Sequence, residues 1–175
     1  MKVTIKRLIG WDIVKETALA TINKKAVTKY PTDIWKKKII KSEHSPIRAL
    51  TFLITITDTP YYVAMHLRTH KRYVEFFIST QRSDRTGSIR DKKPQDAPVD
   101  VKMLINAQSI LNISRKRLCT QADKSTKKAW ELVVDELKKI EPELAEACVP
   151  NCVYQKGCPE MHPCGYFKKW KEEHK

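Results

Sequence analysis

The chain is 175 residues long and 41% hydrophobic, enough for one α+β domain with its own core and too short for two ordinary domains. Its 34 Lys and Arg outnumber 20 Asp and Glu for a formal charge of +14, so an anionic partner is expected: nucleic acid, a membrane surface or a phosphorylated small molecule. The cations are scattered rather than striped, and no helix-turn-helix, zinc-finger or aromatic RNA-binding signature accompanies them, which leaves nucleic acid the less favoured partner. No apolar run approaches the ~18 residues of a membrane span and no charged-then-apolar leader is seen, so a soluble, cytoplasmic protein with no membrane partner is expected.

Val3 to Ile9 alternates apolar and polar residues up to Gly10 and predicts a strand. Asp12 to Asn23 and Asp33 to Ser42 predict helices, with Asp12 and Asp33 as caps. Leu50, Phe52, Ile54 and Ile56 recur with period two against Thr51, Thr55 and Thr57, the pattern of a half-buried strand. Thr59-Pro60 predicts a helix start, a capping hydroxyl followed by proline at the first helical position, with the helix running to about His70. Tyr73 to Ser79 returns to strand character, and the polar stretch from Asp84 to Asp100, with Gly87, Pro94 and Pro98, predicts an exposed loop. Two longer helices are expected over about Val101 to Leu118 and Ala122 to Ile140, the first with Leu104, Ala107, Leu111 and Leu118 on one face. Pro142 separates a short helical turn from the tail.

From the Thr59 helix into the next strand run His66, then Thr69-His70-Lys71, then seven residues, then Ser79. Further on, Asn106, Gln108, Asn112 and Arg117 form a second series, Arg90 stands sixteen residues before Asn106 with Pro94 four residues after it, and Ser45-Pro46 precedes the Leu50 strand. Together these resemble the flavin-dependent thymidylate synthase family. Its signature is R-H-R-x7-S with a Gln three residues upstream, and its long helix carries N-x-R-x3-N-x4-R. The family also has an Arg and a Pro in the Arg90-Pro94 register, and a small-hydroxyl-plus-Pro step against its flavin. The resemblance covers roughly Val3 to Leu137, with a large deletion between Ser79 and Arg90. His66 stands for the Gln and Lys71 keeps the charge of the second Arg. The departures are Thr69 for Arg, Phe77 for Glu, Gln81 for Arg, and Arg48-Ala49 for Glu-His.

The resemblance implies helices packed on an antiparallel sheet over residues 1–145, followed by a Cys-rich extension over 146–175. It also implies a homotetramer whose sites are shared between subunits, and FAD as cofactor. The implied reaction converts dUMP to dTMP with methylenetetrahydrofolate and reduced nicotinamide (NADPH) as co-substrates, or is a close variant on another pyrimidine nucleotide. Ser45, His70, Lys71, Asn106, Gln108 and Asn112 fall at flavin-binding positions; His66, Ser79, Thr80, Gln81, Arg82, Arg90 and Arg117 fall at nucleotide-binding ones. Arg90 offers a bidentate guanidinium to the phosphate, joined by the hydroxyls and amides of Ser79 and Thr80. Arg117 is the implied catalytic residue, because in the family the arginine at this place lies against the pyrimidine and favours ionisation at N3, and fixed charge stabilises that developing anion. The changes at Thr69, Phe77 and Gln81 each remove a charged contact of about 1.5 to 3 kcal/mol, so slow turnover is expected unless Arg68, Arg72 or Arg82 compensates.

Five cysteines are an odd number, and four of them (Cys148, Cys152, Cys158 and Cys164) lie in the last 28 residues, with His162 two before the last of them. That distribution does not suit a secreted disulfide framework and predicts thiols or metal ligands, with zinc ahead of an iron-sulfur cluster. The competing expectation is a tail of reduced cysteines packed under Pro150, Pro159, Pro163 and nearby aromatics. Cys119 reads as a buried apolar thiol. Two readings from other classes remain beside the enzyme: a catalytically silent descendant that binds nucleotide or nucleic acid through its basic surface, and a small zinc-stabilised nucleic-acid-binding protein.

Overall fold

Alternating apolar residues build a four-stranded antiparallel sheet in the order β1-β2-β4-β3, seen in a computed structural model that describes residues 1–25 and 29–174. The strands are β1 (Lys2–Ile9), β2 (Thr51–Pro60), β3 (Val74–Ile78) and β4 (Pro98–Asn106). Phe52, Ile54 and Ile56 of β2 and Val99, Val101, Met103 and Ile105 of β4 are buried on one face. The register sets Phe52 opposite Ile105 and Ile54 opposite Met103, so like meets like across the central pair. The helices are α1 (Trp11–Ala20), α2 (Asp33–Lys41), α3 (Tyr61–Arg68), α4 (Ser83–Thr86), α5 (Ala107–Arg117), α6 (Lys124–Ile140), α7 (Pro142–Glu146), α8 (Asn151–Tyr154) and α9 (Tyr166–Glu173), with 3-10 turns at Ser45–Ala49 and Arg90–Lys92. The amphipathic helices α3 and α6 cover the buried face of the sheet. The architecture is therefore α+β, with helices on an antiparallel sheet, as expected.

The largest difference from the sequence reading lies at residues 98–106, expected to be loop and then helix but forming β4 in the interior of the sheet. Val99, Val101, Met103 and Ile105 alternate with Asp100, Lys102 and Leu104, a period of two that pairing on both edges reinforces. Leu104, expected on a buried helix face, is instead 39% exposed on the outer face of the sheet. The helix begins only at Ala107, where the Asn106 side chain accepts a hydrogen bond from the Ser109 amide at 2.9 Å.

Three smaller differences have equally local causes. Thr59 and Pro60 end β2 rather than start a helix, because the first amides of α3, at Tyr61 and Tyr62, donate to the carbonyls of Ala97 and Gln95 and need no hydroxyl cap. α1 is preceded by Gly10, and α2 is capped by Thr32, which accepts from the Trp35 amide at 3.3 Å; Asp12 and Asp33 stand in the first turns. The stretch from Asp84 to Asp100 holds most of α4, the 3-10 turn at Arg90–Lys92 and the start of β4.

Trp11 and Trp130 are the largest fully buried side chains, and each finds a partner for its indole N–H. Trp130 donates to Ser114 Oγ at 2.9 Å, and Trp11 donates to Glu141 Oε2 at 2.6 Å. Glu141 is only 1% exposed, and its other oxygen pairs with Arg7 Nη1 at 2.5 Å, tying the end of α6 to β1 and α1. Removing the carboxylate strands a buried indole N–H and a part-buried guanidinium. Glu141→Ala is expected to lower unfolding free energy by about 3 kcal/mol in chemical denaturation; a change within about 0.5 kcal/mol would show that this tie does not hold the sheet edge.

Candidate functional site

Arg117, at the C-terminal end of α5, closes a clasp on the end of α3. Its Nε donates to His70 Nε2 at 2.9 Å, and its Nη2 donates to the His66 carbonyl at 2.6 Å and to Thr69 Oγ1 at 2.9 Å. Thr69, which departs from the R-H-R pattern, thus takes part in holding the arginine, while its own hydroxyl donates to the His66 carbonyl at 2.8 Å. The acceptor role of His70 Nε2 puts its proton on Nδ1. Burial first, then the charges of Arg117 and Lys116, lower the His70 pKa to about 4, so the ring is neutral near pH 7. Burial also draws Arg117 below the ordinary arginine value, which leaves it charged. Arg117 Nη1 makes no hydrogen bond among the described residues, and Arg117 lines a cavity of about 410 Å³ together with His70, Lys116, Cys119, Gln121 and Glu160. His66 faces elsewhere: its Nδ1 meets Thr126 Oγ1 at 2.9 Å, over the N-terminus of α6.

A second cavity, about 190 Å³, collects Ser79, Thr80, Gln81, Arg82 and Arg90, five of the expected nucleotide-binding residues, with Arg68, Tyr61, Met65 and Ile78. Three guanidinium side chains on one small cavity suit an anionic group. The Gln81 amide nitrogen is buried there with no hydrogen-bond partner, a donor that a ligand would satisfy. The Ser79 hydroxyl already accepts from the Asp100 amide at 2.9 Å, so it keeps its proton to donate. Arg82 is engaged by Asp84 at 3.0 and 2.8 Å, which leaves Arg68 and Arg90 as the freer cations. Arg68 was expected only as a cation that could compensate for the lost contacts, and Met65 and Tyr61 were not singled out in the sequence, although their spacing of three and four residues puts all three on one face of α3.

The residues expected at the flavin divide between two sides of α5. Gln108 and Arg117 are nine residues apart, which at 3.6 residues per turn sets them on opposite faces. Gln108 Nε2 donates to Glu43 Oε2 at 2.5 Å and approaches Asn112 Oδ1 at 3.4 Å, and Asn112 Oδ1 also accepts from Arg115 Nη1 at 3.1 Å. Burial alone would raise the Glu43 pKa, but bonds from Arg115, Tyr154 and Gln108 outweigh it and hold the carboxylate below its ordinary value. Ser45 is exposed at the start of a 3-10 turn that packs on α5, and Lys71 is exposed between α3 and β3. Asn106 is committed through its Oδ1 to capping α5. The donors suit a flavin chemically, as hydroxyl, amides and cations. One copy of the chain presents them as two separate half-sets.

The cysteines of the tail regroup. Cys148 is buried, its Sγ directed to the Leu144 carbonyl at 3.4 Å, and burial pushes its pKa up to about 11. Cys152, Cys158 and Cys164 line a cavity of about 210 Å³ with Cys119, which comes from the turn after α5. Burial raises Cys152, and so do its neighbours Cys158 and Cys119. Cys164 is lowered by the Thr120 hydroxyl, 2.8 Å from its sulfur, and then by the amide of Tyr166. His162 contributes its carbonyl, bonded by Gln121 Nε2 at 2.7 Å, and its side chain is exposed. Among the described residues no three His, Cys, Asp or Glu side chains converge closely enough to hold one metal ion. The expected five-residue set is therefore divided, with Cys148 and the His162 ring outside the cavity and Cys119 inside it.

No helix among the described residues is long and apolar enough to cross a membrane. The fold belongs to the class seen in flavin-dependent thymidylate synthases and related pyrimidine methylases. A structure of ThyX from Helicobacter pylori complexed with FAD and dUMP superposes with a TM-score of 0.70 at 14% identity, over 85% of this chain and 100% of that one. A second structure of ThyX from the same organism, also with FAD and dUMP, gives 0.70 at 14% identity over 85% and 99%. The UMP/dUMP methylase PolB from Streptomyces cacaoi, bound with 5-Br dUMP, gives 0.60 at 14% identity over 83% and 94%. At this identity the likeness establishes a shared fold. No family model matches the sequence, and no curated protein matches it by sequence.

The clasp has a pH signature. In the unfolded chain His70 takes up a proton as pH falls through about 6.5, whereas in the folded protein it does so only near 4. Between those values the unfolded state binds more protons, so stability falls as pH drops through that window and is unaffected by His70 above it. The melting temperature of wild type is expected to fall more steeply from pH 6.5 to 4 than that of His70→Gln, whose amide oxygen can still accept from Arg117. Parallel profiles would show that His70 is not held neutral by the fold.

Proposed function

We propose that the protein is an FAD-dependent enzyme that binds dUMP or a closely related pyrimidine nucleotide and transfers a one-carbon unit to it, with methylenetetrahydrofolate and NADPH as co-substrates. The observation that carries this reading is the cavity in which Arg68, Arg82 and Arg90 meet Ser79, Thr80 and the unpartnered amide of Gln81. On this reading it takes the phosphate dianion, and Arg68 restores the cation that Gln81 lacks. Arg117 supplies the fixed charge for the pyrimidine ring: its Nε and Nη2 are anchored on α3, and its Nη1 remains for a ligand. A neutral His70 orients it without adding a competing charge. When bound, the flavin supplies hydride transfer chemistry. Its holders are Ser45, Gln108 and Asn112 from one side of α5 and His70 and Lys71 from the other, so two copies must meet to close the site.

Such a meeting also suits the outer face of the sheet, where Leu53 pairs with Leu104 and Phe77 is 58% exposed. We take the assembly to be a homotetramer, and the setting to be the cytoplasm, where five free thiols stay reduced.

Purified protein incubated with FAD is expected to show oxidised-flavin absorption and to release tritium from C5-labelled dUMP when both co-substrates are supplied. Arg117→Ala should abolish release while keeping the flavin. Arg68→Ala and Arg90→Ala should each weaken dUMP binding by about 10- to 100-fold, the effect of losing about 1.5 to 3 kcal/mol of charged hydrogen bond. A protein that stays colourless in an FAD titration would sink the reading, and undiminished release from Arg117→Ala would remove the catalytic assignment. Sedimentation should give a tetramer; a monomer that still binds FAD would refute the shared site.

A further inference from the structure

Four of the five cysteines surround one cavity, although they come from distant parts of the chain. Cys119 follows α5, Cys152 lies in α8, Cys158 in the loop beyond it, and Cys164 just before α9. All five thiols are free, so no disulfide accounts for the gathering. Pro159, Pro163, Tyr166 and Phe167 supply much of the remaining wall; Tyr166 and Phe167 are half-buried, and the side at Pro159, Pro163 and Cys164 is open to solvent.

The segment around this cavity has little else to order it. Residues 155–165 contain no helix or strand, and α9 buries no side chain. Chain of this kind needs a staple to offset its conformational entropy. The loop is nevertheless seated: Gln121 Nε2 reaches the His162 carbonyl at 2.7 Å, Thr120 Oγ1 lies 2.8 Å from Cys164 Sγ, and the Gly157 amide donates to the Cys152 carbonyl at 2.9 Å.

A single zinc ion holds its ligands at about 2.3 Å, which brings tetrahedral sulfurs to within about 3.8 Å of one another. The four thiols do not converge in that way; they ring a cavity of about 210 Å³. In an iron-sulfur cluster the cysteines are spread over separate irons around an inorganic core, and four cysteines complete the ligand set. We propose that Cys119, Cys152, Cys158 and Cys164 bind an iron-sulfur cluster. Cys148 takes no part, since its thiol is buried against the Leu144 carbonyl. The cluster stands beside the Arg117 clasp, because Cys119 and Glu160 line both cavities. It pins the tail to the end of α5 and forms one wall of that cavity, whether or not the flavin reading holds.

The test is iron and acid-labile sulfide per chain after anaerobic purification and reconstitution of the full-length protein with ferrous iron and sulfide. Bound flavin is released and counted separately, so failure of one reading leaves the other measurable. Wild type is expected to retain equimolar iron and sulfide, about two to four of each. Cys119→Ser, Cys158→Ser and Cys164→Ser should each lose most of it, and Cys148→Ala should retain it, with circular dichroism confirming that each variant is folded. The proposal is overturned if wild type retains no iron and sulfide, if it takes up stoichiometric zinc in their place, or if Cys148→Ala loses the metal as fully as Cys119→Ser.

Discussion

β4 lies between β2 and β3, and that position governs where α5 starts and which way it runs. Being paired on both edges, it must alternate, and its inward residues Val99, Val101, Met103 and Ile105 join Phe52, Ile54 and Ile56 in the core. Its last residue, Asn106, lies opposite Thr51 and caps α5 directly, with no loop between strand and helix. The orientation of α5 is therefore inherited from the sheet. A helix with no loop at its start has little freedom to turn, and so each side chain along it has an assigned direction.

That inheritance explains how one helix serves two sides of the molecule. Gln108 and Asn112 point to Glu43 and Arg115, while Arg117 points back to the end of α3. The proposed shared site asks this of α5, with each copy lending one half to a neighbour. It also explains why Arg117 needs a clasp: a guanidinium at the frayed end of a helix holds a fixed direction only when other groups bind it. Here the His66 carbonyl, the Thr69 hydroxyl and the neutral His70 ring perform that task. A charged histidine in the same place would repel the arginine it orients.

Much of the architecture was legible along the chain. The strand that follows Leu50, the helix expected over about Ala122 to Ile140 and the break at Pro142 all follow from local periodicity, although the Asp123 cap that starts this helix at Lys124 was not singled out. The series Asn106, Gln108, Asn112 and Arg117 could be found because spacing on a helix survives wide sequence divergence, and the fold it resembled is the one observed. Residues 98–106 resisted the same reading, because Leu104, Ala107 and Leu111 imitate a helical stripe across what is in fact the junction of β4 and α5. Only the neighbouring strands make the alternation of two prevail over the period of 3.6.

Fold class, basic charge, the placing of most elements and the residue types available for binding can all be read along the chain. Those are local matters, set by side-chain period, caps and composition. Which of those residues meet is a matter of how the elements pack. That packing brought Arg68 beside Ser79 and Arg90, placed Thr69 under Arg117, separated Gln108 from Arg117, and exchanged Cys148 for Cys119 among the tail cysteines. Such meetings join residues far apart in sequence, as with Cys119 and Cys164. Their proximity comes from the packing of α5, α8 and the tail loop, and no spacing along the chain encodes it.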